Sequence, residues 1–226
     1  MSRRAPRGRR ASVLSRLQRG LELLYRVETN LQVDAFVIDD QQRRDAGVSR
    51  APREQLLVRE EEGELAMALF VDRDALANLE RNDPNDGLDD ANFGDFCLAL
   101  EGVSHFVYLA LCAAGHRRVS ALELELQAEV DKFVCCSLLQ GSHRRRSGDD
   151  DGLRRRLYRD VRFSDDLDAD ERDRYRTANV EAERYAETLD RRFVRADRVG
   201  DMLDELRRFY RMGLDEKRAH ISRHAA

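Results

Sequence analysis

Glu101 and His105 stand four residues apart in LALEGVSHFVYLALCAA, residues 98 to 114, a run that is otherwise almost wholly apolar. A second pair, Glu125 and Glu129, repeats the spacing in ELQAEVDK, residues 125 to 132. On a helix, members of such pairs share one face. Three carboxylates and one imidazole would suit a divalent metal such as manganese, iron or zinc. A metal-free alternative is acid and base chemistry. A Glu129 lodged among apolar side chains would have its pKa raised toward neutrality, with His105 and Tyr108 as proton partners. A third reading assigns the cluster no chemistry at all: His105 hydrogen-bonds Glu129, Glu101 pairs with Lys132, and the ion network sets the register of two helices. Helical-bundle di-iron proteins carry two Glu-x-x-His pairs at i, i+3. This chain has one pair spaced by four, so the network is the favoured reading and the metal site its sharpest rival.

Two long helices have to position these residues. The first begins after LDDANF, where Asp89 is a suitable N-cap and Leu88 and Phe93 can form a hydrophobic staple. It runs to about Ala114, with Gly115 as the C′ residue. Apolar residues cover most of its circumference, and Glu101, Ser104, His105, Tyr108 and Cys112 share the remaining sector. The second helix opens with a capping box of Ser120 and Glu123 and reaches about Gln140. A short linker between long helices predicts an antiparallel helical hairpin. A turn near residue 117 sets His105 opposite Glu129 and Glu101 near Lys132 and Phe133.

Around this pair the chain predicts an α+β fold, mostly helical, closed by C-terminal helices. An amphipathic helix is expected from Ala11 to about Val27, and QVDAFVID, EQLLVRE and ELAMALFVD read as about three strands of a small antiparallel sheet. Gly63 is available for the turn of the hairpin, and DDQQRRDAGVSRAPR reads as a loop. Further helices are expected over RDALANLER, capped by Asp72, over Asp170 to Val194, over DMLDELRRFYRM and over LDEKRAHIS. Residues 11–226 are expected to form a single globular domain, with a flexible loop at about 141–152 and a disordered basic tail over 1–10. Asn179 is expected on the apolar side of its helix. His116, His143, Arg144 to Arg146 and Arg154 to Arg156 are expected in solvent.

Composition bounds the role. A net charge of −4 gives no bulk reason to bind nucleic acid or an anionic membrane. The one local exception is the arginine-rich tail, residues 3–10. Cys97, Cys112, Cys135 and Cys136 lie in apolar stretches without C-x-x-C spacing, as reduced buried thiols do. No apolar leader follows the basic start, and the uncharged run GVSHFVYLALCAAG is too short to span a bilayer. Those features predict a cytoplasmic protein, and the near-total preference for arginine over lysine suggests a GC-rich bacterial genome. No internal repeat, Gly-rich phosphate loop, G-x-S-x-G or H-E-x-x-H occurs. The missing motifs favour an accessory or protein-interaction module, with an enzyme built on Glu101, His105, Glu125 and Glu129 as the rival class.

Overall fold

A computed structural model describes residues 11–47, 52–61, 64–141, 150–161, 163 and 165–224. The basic tail, Gly63, His143, Arg144 to Arg146 and most of the 141–152 loop lie outside the described residues. The fold is mostly helical, with a two-stranded antiparallel sheet. Helix α1 (Val13–Tyr25) is capped by Ser12, whose hydroxyl accepts from the Ser15 amide. Strands β1 (Glu54–Glu61) and β2 (Glu64–Val71) pair in register from Glu54 opposite Val71 to Glu61 opposite Glu64.

The third expected strand does not form. Val33–Ala35 is a 3-10 turn, and only Val37 bridges to Leu69, in parallel sense. The chain leaves the sheet because Asp39 starts α2 (Asp40–Asp45) inside the expected loop. Its carboxylate accepts from the Gln42 amide while the Gln42 side chain accepts from the Asp39 amide. That reciprocal cap turns the backbone into a helix before a ladder can extend. Helix α3 (Arg73–Arg81) follows, capped by Asp72 as expected.

Helix α4 (Phe93–Ala114) is the centre of the molecule. Fourteen of its residues are buried, and α1, α3, both strands and α5 (Ala121–Gly141) pack around it. At 22 residues it is long and apolar enough to cross a membrane by length and composition. Here 78% of its most apolar window is buried inside the fold. Its N-cap is Asn92 and not Asp89. Asn92 donates to the carbonyls of Asn82 and Gly87, which ties the helix start to the preceding turn. At the other end the left-handed residue is His116 (φ 52) and not Gly115 (φ −88). The Arg117 amide reaches back to Cys112 O and the His116 amide to Ala113 O, which is the Schellman pattern with His116 at C′.

The C-terminal half covers this hairpin. After α6 (Asp150–Arg154) and a π turn over Arg155–Arg159, α7 (Ala169–Leu189) lies along α5. A second π turn, Asp190–Val194, ends the helix expected to continue to Val194. Helices α8 (Val199–Arg211) and α9 (Leu214–His224) then pack on α1 and α7. One contiguous apolar core runs from Val13 to Ile221. Asn179 is buried on α7 and His116 is exposed, both as expected. Arg155 and Arg156 are exposed as expected, the Arg156 guanidinium lying 3.8 Å over the Phe93 ring, whereas Arg154 departs from the solvated expectation and is buried near Asp190.

Candidate metal centre

The polar sector of α4 meets two separate networks. Nearest the N-terminal half of α4, Lys132 Nζ sits between Glu101 Oε2 at 2.6 Å and Glu129 Oε1 at 2.8 Å. The pairing of Glu101 with Lys132 is the one expected. The facing of His105 with Glu129 is not what forms: His105 Nε2 lies 3.4 Å from Glu125 Oε2. The ammonium draws Glu129 into its own pairing, and Glu125, one turn earlier on α5, becomes the carboxylate within reach of the ring.

On the other side of the imidazole, Nδ1 lies 4.0 Å from Oε1 of Glu54 on β1. Sheet and helix approach this closely because α4 has no side chain at the contact. A Cβ on Gly102 would stand 2.8 Å from Glu54 Oε1 and 2.9 Å from Leu69 Cδ1. Glu101, His105 and Glu125 each bring one ligand atom to within 4.8 Å of the other two. His105 Nε2 and Glu54 Oε1 are both buried without a hydrogen-bond partner. The Nε2 approach to Glu125 is near enough for attraction but not aligned for a hydrogen bond.

The electrostatics follow from crowding. Burial pushes the Glu54 carboxyl up to about 8, and neighbouring Glu101 and Glu125 add to that rise against the pull of His105. For His105, burial acts downward, but Glu125, Glu54 and Glu101 outweigh it and lift the imidazole to about 9. Burial also raises Glu129, against Lys132. Glu101 is the exception: burial opposes ionisation, yet Lys132 and His105 hold it below the usual carboxylate range. Tyr175 on α7 feels the same charge, its phenol raised by burial and then by Glu125, Glu101 and Glu54. Glu101 keeps 20% of its side chain exposed and Glu129 17%, so the cluster reaches solvent along that edge.

Tyr108 belongs to the second network and not beside His105. Its hydroxyl donates to Glu123 at 2.7 Å and accepts from Arg117 at 2.9 Å and Lys217 Nζ at 2.7 Å. Glu123 therefore does not close the expected capping box. Ser120 accepts from the Glu123 amide, while the Glu123 carboxylate pairs with Tyr108 and Arg117. Lys217 also donates to Gln127, which donates to Asp131, and Asp131 accepts from Ser104 and Tyr25. Every polar group in this chain of contacts has a partner, so it ties α1, α4, α5 and α9 together without offering an open ligand position.

The sequence reading missed Glu54, Gly102, Tyr175 and Lys217. A glycine inside a long buried helix was a usable signal, because it costs stability unless something approaches closely there. Glu54 gave none, since a glutamate at the start of a strand is ordinarily solvated. The four thiols are free, with Cys112 and Cys136 buried and Cys97 and Cys135 half-buried. In comparisons with known proteins, no protein family, no curated protein and no solved structure matches this chain.

Proposed function

We propose that the chain binds a divalent transition-metal ion through Glu101, His105 and Glu125, and that this centre is the seat of its activity. The observation that carries the reading is the buried His105 Nε2, which has no hydrogen-bond partner and lies 3.4 Å from Glu125. That separation is close to what two ligands of one first-row ion show when each bond is about 2.1 Å long. Charge supports it as well. Four carboxyl groups, Glu54, Glu101, Glu125 and Glu129, crowd against Lys132 and His105 in a buried place. Glu54 answers burial and crowding by holding its proton up to about 8, and a divalent cation would relieve the crowding instead.

Carboxylates with one imidazole suit manganese, iron or zinc. Three protein ligands keep positions free for water or substrate, as catalytic sites do and closed structural sites do not. Metal-free acid and base catalysis by Glu129, His105 and Tyr108 lacks support, because Tyr108 bonds Glu123 in the other network and Glu129 is paired to Lys132. An interaction role has less behind it: among the described residues the exposed apolar side chains Leu23, Val58, Val161, Val180 and Val199 are scattered, and the apolar groove between α1 and α5 at Leu17, Leu24 and Leu138 carries nothing that names a partner.

Metal content after incubation with manganese, ferrous iron or zinc and removal of excess tests the reading. One ion per chain is expected, with loss of that ion in His105→Ala and Glu125→Gln. Glu129→Gln should keep it, since Glu129 is not among the three residues whose ligand atoms converge. Protein that takes up no metal, with His105→Ala merely lowering the melting temperature, would assign the cluster to a structural ion network.

A further inference from the structure

We propose that Glu54, on the β-hairpin, orients the His105 ring for the ion by accepting its Nδ1–H, so that the Nε2 lone pair faces the cation. This role rests on the cation-site reading above. A neutral imidazole carries its proton on one nitrogen only, and ligation through Nε2 requires that proton on Nδ1. The residue that bonds Nδ1–H therefore selects the ligating tautomer and fixes the ring plane.

Glu54 is placed for that task and for no other visible one. Its Oε1 is 4.0 Å from Nδ1, about 1 Å beyond hydrogen-bond length, its side chain is 9% exposed, and that oxygen has no hydrogen-bond partner, so it is free to accept the Nδ1–H when the ring turns onto the ion. Its nearest approach to the ring is at Nδ1, and it is not one of the three residues whose ligand atoms converge. Gly102 supplies the opening: any side chain there would occupy the space of the Glu54 carboxylate. Thus a residue of β1 reaches across the face of α4 to a histidine one turn away from the glycine that admits it. The sheet, otherwise a peripheral two-stranded ribbon, becomes part of the metal centre.

The test uses the full chain with Co2+ as a coloured probe and Zn2+ in competition. Glu54→Ala should weaken Co2+ binding roughly 10- to 100-fold, the usual effect of removing a partner that orients a ligating histidine. Glu54→Gln keeps an acceptor without the charge and should fall between Glu54→Ala and wild type. The visible d–d bands should shift in Glu54→Ala, because the ring loses its fixed orientation, a change that a purely structural role would not produce. If wild type binds Co2+ and Glu54→Ala binds it equally well with the same spectrum, the proposal is overturned while the cation site stands. If wild type binds no Co2+, both fall together. Should Glu54→Ala fail to fold, Glu54→Asp retains the charge but cannot reach Nδ1, and wild-type affinity in that variant overturns the proposal in the same way.

Discussion

Of the 40 basic residues, Lys132 and Lys217 are the only lysines, and both lie inside the networks of the α4–α5 hairpin. Arginine serves everywhere else. A compact ammonium fits between Glu101 and Glu129, where a planar guanidinium would have to displace one of them. Lys132→Arg conserves charge and should nevertheless destabilise the fold by about 1–3 kcal/mol, the cost of overfilling a packed site. A lowered midpoint in urea unfolding checks this, and an unchanged midpoint would show that the site has spare room. Lys217, fully buried, is a different case. Burial lowers its pKa from 10.5 to about 7, against the pull of Glu123 and Asp131. Between those two values the unfolded chain binds the proton that the folded chain has released. Stability contributed by this group therefore rises as pH climbs through that window. Lys217→Met has no such proton to exchange, so the rise between pH 7 and 10 should be steeper in wild type than in the variant. Parallel slopes in urea titrations across that range would show that Lys217 stays charged in the fold.

The turn between α4 and α5 sets which carboxylate His105 meets, and its geometry depends on one left-handed residue. His116 occupies that position at φ 52 although Gly115 precedes it, and its side chain is exposed. Left-handed backbone costs a non-glycine residue about 1–2 kcal/mol, part of which glycine returns through its greater freedom when unfolded. His116→Gly should thus raise stability by about 0.5–1 kcal/mol, seen as a higher melting temperature with metal binding intact. A lower melting temperature would mean that the imidazole holds the turn through contacts of its own. Helices of this kind were legible from the chain: α1, α3, α4, α5, α8 and α9 follow from apolar period, and α3 from its Asp72 cap as well. What misled was a competition between local signals. QVDAFVID has strand composition, but the Asp39–Gln42 cap beyond it takes the backbone first. Gly115 looked like the helix stop, but the six-residue loop closes with His116 in the glycine role. The second network was hidden for another reason. Tyr108 and Gln127 find Lys217 across 109 and 90 positions of sequence, and no local period encodes such a meeting.

Three elements converge on the proposed cation site: β1 with Glu54, α4 with Glu101 and His105, and α5 with Glu125 and Glu129. The helical half of that convergence could be read from the chain, because Glu101 and His105 share a face and α5 must run back along α4. The contribution of β1 could not, since it depends on how the sheet packs over Gly102. Because the proposed ligands come from two separate helices, an unfolded chain cannot hold the ion in this geometry. Binding would then stabilise the folded state by mass action, by about 2.7 kcal/mol when free metal is a hundred times the dissociation constant. For a domain of this size that corresponds to a rise of roughly 5–10 °C in melting temperature. Thermal melts with added manganese, ferrous iron or zinc should show it, and a chelator should reverse it. The rise should vanish in His105→Ala, which lacks the imidazole ligand, and persist in Lys217→Met, whose network is separate. An equal rise in His105→Ala would place the bound metal elsewhere on this acidic protein and remove the α4–α5 cluster from the account.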